Sequence, residues 1–342
     1  MINKKIITYL ATALVIINSC SKEKKPGDTD TAPSNLTLTA TVSNDNSGNV
    51  AFKAAATNAT SYDFDYGNGV FQTVASGIIT YKYPSSGTYT VKVTAKSVSG
   101  KTVSQSTQVT VSVAFALVWS DEFEVAGVPD PAKWGYDLGA GGWGNNELQY
   151  YTNRTDNAMV SNGTLKITAK AENFNGSGYT SARLLSKDKF SFKYGKVEAK
   201  AKLPAGVGTW AAIWMLGNNI STAGWPACGE IDIMEHLGRD LNKIYGTLHH
   251  PGHSGGNGDG GTLAISNAAT EFHRYGIQWT PETIKISVDD VVFYTFNNAA
   301  SLPFNQNFFL ILNVAMGGNF GGTIDPAFTS GVMEVDYVRV YQ

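Results

Sequence analysis

The sequence predicts an all-β protein: a β-jelly-roll sandwich over residues 115–342, preceded by a smaller immunoglobulin-like β-sandwich. Three observations predict it. Charged residues make up only 16% of the chain against 42% hydrophobic, and 36 of 342 residues are Gly. That balance suits strands and tight turns rather than a helical bundle or a disordered chain. Apolar and polar residues alternate with a period of two in segment after segment. No long segment carries the helical period. The formal net charge of −2 leaves no basic excess for a nucleic-acid partner.

The chain opens with Lys4-Lys5 and an apolar run, Ile6 to Ile17, of signal-peptide length and too short to span a bilayer comfortably. It ends in Ile17-Asn18-Ser19-Cys20, which resembles a bacterial lipoprotein lipobox. The resemblance implies removal of residues 1–19, acylation of Cys20 and a membrane-anchored protein of the cell envelope, at the outer membrane or cell surface. An ordinary secretory signal with a chance Cys is the alternative. Residues 20–33 are polar and read as a flexible tether. With Cys20 lipidated, Cys228 is the one remaining thiol, so no intrachain disulfide is expected.

Residues 34–113 hold short alternating segments, among them Leu36–Val42, Asn49–Ala54 and Thr88–Thr94, punctuated by Asn, Gly and Ser. This is the pattern of an immunoglobulin-type sandwich. Tyr62-Asp-Phe-Asp-Tyr-Gly-Asn-Gly69 and Tyr81-Lys-Tyr-Pro-Ser-Ser-Gly-Thr-Tyr-Thr-Val91 resemble the polycystic-kidney-disease-type (PKD) module. The segment has five basic and three acidic residues and no acid–base pair or metal cluster. It reads as a spacer, or as a carbohydrate contact through exposed Tyr or Phe.

In residues 115–342, Val197, Ala199, Ala201 and Leu203 alternate with Lys196, Glu198, Lys200 and Lys202, giving one buried and one wet face. Thr283–Val288 and Val291–Phe296 flank Asp289-Asp290, a hairpin signal. Val332–Tyr341 reads as a further strand. There is no phosphate-loop glycine pattern, CxxC or HExxH. Strands without helices over this length favour two packed sheets.

One strand carries the chemistry. Gly229-Glu230-Ile231-Asp232-Ile233-Met234-Glu235-His236 places three carboxylates within six residues. Glu230 and Asp232 share a face. Glu235 lies at an odd offset and would point into the core, where an unpaired carboxylate is costly. A β-bulge around Ile233-Met234 would return it to the face of the other two. Crowded like charges raise at least one carboxyl pKa, which separates an acid from an anion. That pairing is the one glycoside hydrolysis requires. A calcium site or a charged strand edge is the alternative.

Glu230-Ile-Asp-Ile-Met-Glu235 resembles the ExDxxE signature of glycoside hydrolase family 16, in its bulged, laminarinase-like branch. The resemblance extends over residues 117–342. It includes Trp119-Ser-Asp-Glu-Phe123, Gly144-Asn-Asn-Glu-Leu-Gln-Tyr-Tyr-Thr152, Ser181-Ala-Arg183, Gly208-Thr-Trp-Ala-Ala-Ile-Trp-Met-Leu216 and Asn313-Val-Ala-Met-Gly-Gly318. It implies an open-cleft jelly roll and retaining hydrolysis of a β-linked polysaccharide. By residue match Glu230 is the nucleophile, Glu235 the acid/base, and Asp232 tunes and positions the nucleophile. Ala211 departs from the Pro that many relatives carry there.

Sugar rings offer apolar faces to aromatic platforms and hydroxyls to Asn, Gln, Arg and His. The cleft candidates are therefore Trp210, Trp214 and Trp225, with Asn145, Arg183, His249, Gln278 and Asn313. Any Trp could instead be core, and Gln278 or Asn313 could simply satisfy backbone groups. His249-His250-Pro-Gly-His253 is not read as a metal site, because no carboxylate or Cys completes the spacing. No cofactor is expected for catalysis. The resemblance suggests a structural calcium, with the Asp336 carboxylate and backbone oxygens near Glu122 and Gly163. The expected protein is a monomeric, lipid-anchored endo-β-1,3-glucanase acting on laminarin-like and mixed β-1,3/1,4-glucans. A galactan-cutting relative of the agar or carrageenan type, an idle glucan-binding lipoprotein and a structural adhesin are the alternatives.

Overall fold

The period-two alternation becomes strands almost throughout the computed structural model, which describes residues 31–342. The signal segment, Cys20 and most of the tether lie outside the described residues. Among the described residues, no helix is long and apolar enough to cross a membrane. The chain divides into two units, with the boundary between Ala114 and Phe115.

The first unit has two sheets. One joins β1 (Ser34–Val42), β2 (Asn49–Thr57) and β5 (Ile78–Lys82). The other joins β4 (Phe71–Val74), β3 (Ser61–Asp65), β6 (Gly87–Lys96) and β7 (Thr102–Val111). Val50, Phe52, Phe64, Val91, Val93 and Val111 fill the space between them. The tyrosines that carried the PKD resemblance are mostly core. Tyr66 and Tyr83 are fully buried, and Tyr66 stacks on Tyr81 with ring centroids 3.8 Å apart. Phe71, at 71% exposure, is the aromatic that faces water.

The second unit is a jelly-roll sandwich. Its outer sheet runs β10 (Gln149–Tyr151), β13 (Ser177–Ser181), β12 (Thr164–Phe174), β24 (Ser330–Tyr341), β15 (Gly195–Lys202), β20 (His273–Trp279), β21 (Thr283–Val288), β22 (Val291–Asn297). β11 (Ala158–Ser161) joins β12, and β8 (Leu117–Asp121) joins β24. Its inner sheet runs β19 (Asp259–Ala264), β18 (Lys243–His249), β17 (Glu230–Leu237), β16 (Thr209–Gly217), β23 (Phe308–Met316), β14 (Arg183–Leu185), β9 (Gly135–Asp137).

Alternation decides which side chains meet between the sheets. The outer sheet contributes Val197, Ala199 and Ala201 of β15 with Tyr275, Ile277 and Trp279 of β20. The inner sheet contributes Ile213 and Met215 of β16 with Leu310, Leu312 and Val314 of β23. On the far side of the outer sheet, Lys200 pairs with Asp336 and Lys202 with Glu334, each at 2.7 Å. The hairpin read around Asp289-Asp290 joins β21 to β22. Both aspartates have positive φ, 48° and 67°, a turn that suits Asp and matches the strands' right-handed twist.

Candidate active site

The inner sheet's second face is a cleft of about 690 Å³. Parity places its lining. On β16, Ala211, Ile213 and Met215 enter the core, so Trp210, Ala212, Trp214 and Leu216 face the cleft. On β18, Ile244 and Leu248 enter the core, so Tyr245, Thr247 and His249 face the cleft.

β17 breaks the period once. Ile213 of β16 stands opposite Met234, but the next residue, Trp214, stands opposite Asp232. Ile233 is therefore the extra residue of a bulge. The same count is off by one against β18, where Asp232 faces Thr247 and Glu235 faces Tyr245. Ile233 and Met234 both turn into the core. Glu230, Asp232 and Glu235 all reach the cleft. The bulge exchanges one strand residue for a carboxylate kept out of the apolar layer.

Each glutamate has its own indole donor. Trp225 Nε1–H donates to Glu230 Oε2 at 2.8 Å, and Trp210 Nε1–H donates to Glu235 Oε1 at 3.0 Å. Thr247 Oγ1 adds a longer contact to Glu235 Oε2 at 3.3 Å. His249 Nε2 is 3.1 Å from Asp232 Oδ2 and 3.9 Å from Glu230 Oε1. All three carboxyls are pushed up to about 8, first by burial. For Glu230 and Glu235 the neighbouring Asp232 charge raises them further, and His249 partly offsets it. Such a site holds protons at neutral pH, so one carboxyl can donate while another stays anionic.

A second polar chain supports the cleft on the β23 side. Trp214 Nε1–H donates to Asn313 Oδ1 at 2.7 Å, and Asn313 Nδ2–H donates to Tyr151 Oη at 3.1 Å. Tyr151 Oη–H donates to Glu147 Oε2 at 3.1 Å, which also accepts from Gln149 Nε2–H at 2.6 Å. Asn145 Nδ2 reaches Glu147 Oε1 at 3.4 Å. Arg183 pairs with Asp137 at 3.0 Å and lies over the rings of Trp143 and Trp214, 5.1 and 4.8 Å from their centroids. A cation over the face of Trp214 is attracted to its π-system and supports the ring from that side.

The structure thus brings Asn145, Arg183, Trp210, Trp214, Trp225, His249 and Asn313 together around the three carboxylates. Gln278 is a correction. It sits on β20 of the outer sheet and points away from the core, opposite in sense to Ile277 and Trp279. Nothing in an alternating strand says which sheet it joins. Glu147, Tyr151, Trp143 and Phe320 were missed as site residues. The signal for the first two was present: Glu147, Gln149 and Tyr151 are polar-capable residues two apart, the last two on one face of a short strand.

Two metal readings also meet the structure. Asp336, Glu122 and Gly163 fall in one region of the outer sheet, since Leu165 faces Val335 and Asp121 faces Val338. There Asp336 is paired with Lys200, and Glu122 forms a two-pronged pair with Arg339 at 3.0 and 2.8 Å. The Asp336 carboxylate is thus held by Lys200, and the Glu122 pair involves its side chain, not the backbone oxygen of the calcium reading. A correction concerns His250 and His253. A carboxylate does complete them, Asp259, brought back by the pairing of β18 with β19.

Residues 145–339 match the family of glycosyl hydrolases family 16, and residues 31–113 match the PKD domain. A beta-glucanase of Rhodothermus marinus is 48% identical over 242 residues, covering 66% of this chain and 85% of that protein. A glucan endo-1,3-beta-glucosidase of Cryptopygus antarcticus is 40% identical, covering 66% of this chain and 92% of its own. The crystal structure of a LamA variant from Z. galactanivorans, in complex with laminaritriose and laminaritetraose, is similar at a TM-score of 0.63. It is 46% identical and covers 67% of this chain and all of that one.

Proposed function

The chain belongs to glycosyl hydrolase family 16, and on that premise we propose that its cleft hydrolyses β-1,3-glucan chains internally and with retention. One observation carries this reading: the β17 bulge delivers Glu230, Asp232 and Glu235 to one face of a tryptophan-lined groove. The relatives named above as a beta-glucanase and a glucan endo-1,3-beta-glucosidase support the substrate class.

The reaction has two steps. Glu235, protonated, gives its proton to the glycosidic oxygen as Glu230 attacks the anomeric carbon. The C–O bond to the leaving chain breaks and a glycosyl ester forms on Glu230. Glu235, now anionic, takes a proton from water, and the hydroxide equivalent displaces Glu230. Configuration is inverted twice and so retained. Asp232, between the two and 3.1 Å from His249, repels the negative charge of Glu230, and that repulsion is relieved as the charge is spent on the sugar. Trp214 and Trp225 offer ring faces to the sugars.

Release of reducing ends from laminarin, mixed β-1,3/1,4-glucan, agar and carrageenan tests this. Turnover of laminarin is expected, with mixed-linkage glucan second. Cleavage of a galactan alone would replace the substrate assignment, and binding without turnover would leave a glucan-binding protein.

Four attributes complete the proposal. Cys20, after Ser19, is the acylation site of an envelope lipoprotein. Cys20→Ala should then release the protein from membranes or leave it unprocessed, and unchanged retention would remove the anchor. The enzyme acts as a monomer, and the PKD-type unit serves as a spacer, its tyrosines being spent on its own core. A structural calcium at Asp336 would require Lys200 to give way, and calcium-dependent melting in Lys200→Ala but not the parent would reveal that competition.

A further inference from the structure

Leu248, the penultimate residue of β18, pairs with Asp259, the first of β19, and the intervening segment returns through His250-Pro-Gly-His-Ser-Gly-Gly-Asn-Gly258. Four of those nine residues are Gly, so fixing the segment carries a large entropy cost. Its own backbone bonds are few: His250 and His253 exchange N–H···O bonds of 2.8 and 2.9 Å, and the Asn257 and Gly258 N–H groups donate to the Ser254 and Gly255 carbonyls at 3.2 Å. Yet Gly255, Gly256 and Gly258 line the cleft.

Strand parity splits the adjacent histidines. His249 faces the carboxylates of the cleft, while His250 turns the other way and packs against Phe296 and Phe304. There His250 Nε2 lies 2.9 Å from Asp259 Oδ2, and His253 Nδ1 lies 3.1 Å from both oxygens of the same carboxylate. The two imidazoles stack at 4.8 Å between centroids and 18° between planes. The three donor atoms lie within 4.8 Å of one another.

We propose that His250, His253 and Asp259 form a binding site for a zinc-class transition metal, which clamps the glycine-rich 254–258 segment at the rim of the cleft. Two imidazole nitrogens and a carboxylate oxygen are a borderline-soft donor set, suited to zinc rather than calcium. A tetrahedral zinc with ligands ~2.0–2.2 Å away sets neighbouring ligand atoms about 3.3–3.5 Å apart. The His–Asp spacings here are already within a few tenths of an ångström of that. His250 is almost fully buried and its neighbours hold the ring in place, whereas the His253 side chain is half exposed and leaves the fourth position to water. The site is separate from the catalytic groups, although Glu230, Asp232 and His249 form the other cluster of metal-capable side chains among the described residues.

The test uses the full chain, stripped with a chelator and titrated with zinc chloride by calorimetry, with melting and proteolysis of the 250–258 segment in parallel. The parent should bind one zinc, melt higher and lose cleavage in that segment. His253→Gln, at a half-exposed position, should weaken binding about ten-fold or more, and Asp259→Asn should do the same. His249→Gln should bind zinc as the parent does. Absence of saturable binding in the parent would overturn the site and leave a hydrogen-bonded His–Asp–His cluster. Unchanged affinity in His253→Gln, or loss confined to His249→Gln, would overturn it by placing the ion in the catalytic cleft.

Discussion

Trp210 donates its indole N–H to Glu235 across 3.0 Å, from one strand to the next. Trp210 stands two positions before Ala212, the residue directly opposite Glu235, so the contact is a cross-strand diagonal on the cleft face. The bond favours the ionised carboxylate, against burial that pushes Glu235 up to about 8. Trp225 plays the same part for Glu230 from a different segment. The two glutamates are therefore tuned by separate donors and can be perturbed separately.

Trp210→Phe keeps a ring in the cleft and removes the donor. Glu235 should then hold its proton to higher pH. The basic limb of the kcat/KM profile on laminarin should move up by roughly half to one pH unit, with a loss of about 3–10-fold at the optimum. A similar loss with an unmoved limb would mean that Trp210 acts through packing alone.

The roles of the two glutamates separate chemically. In Glu235→Ala the glycosyl ester on Glu230 still forms from a substrate with a good leaving group, and added azide should attack it to give a β-glycosyl azide. In Glu230→Ala no ester forms, and azide attacking from the nucleophile's side should give the α-azide. Exchanged products, read by NMR, would exchange the assignments.

Parity is what made the carboxylate site legible. Glu235 at an odd offset from Glu230 demanded an irregular strand, and the bulge at Ile233 supplies it. What parity cannot carry is partnership at long range. Gln278 alternates as a cleft residue would, yet β20 joins the outer sheet. Asp259 lies nine residues beyond His250, and only the pairing of β18 with β19 closes that gap. Asn313 was read as a cleft polar group. Its amide is taken by Trp214 and Tyr151, so it positions a platform that sequence placed on its own.

Crowding acid groups in the cleft costs stability, and the cost has a pH signature. Glu230, Asp232 and Glu235 are all raised from ordinary carboxyl values to about 8. Between pH ~4 and ~8 the folded chain then holds protons that the unfolded chain has lost, so stability falls as pH rises. The stabilisation is fully present below the unfolded value and gone above the folded one. Glu230→Gln removes one titrating group while keeping an oxygen for Trp225. It should match the parent near pH 4 and exceed it at pH 9 by about 1–2 kcal/mol, or roughly 3–6 °C in Tm. A gain equal at both pH values would show that ionisation is not its source.

The bulge admits a length test that separates parity from composition. Deleting Met234 leaves Glu-Ile-Asp-Ile-Glu, in which a regular strand puts all three carboxylates on the cleft face. One apolar side chain leaves the core, at a cost of about 2–5 kcal/mol. The 228-residue unit should still fold with a lower Tm and keep measurable laminarin hydrolysis. Inserting an Ala after Met234 changes nothing in the core's apolar content. It does shift the remainder of β17 by one residue, so Glu235 takes the core-facing place of His236, opposite Ala211 and toward Val314, unless a second bulge forms. A carboxylate there costs several kcal/mol or is forced neutral. The insertion should therefore lose turnover entirely and melt below the deletion, although the deletion is the variant that removes apolar contacts. An insertion variant more stable and more active than the deletion would show that side-chain volume, not the strand's period, governs this site.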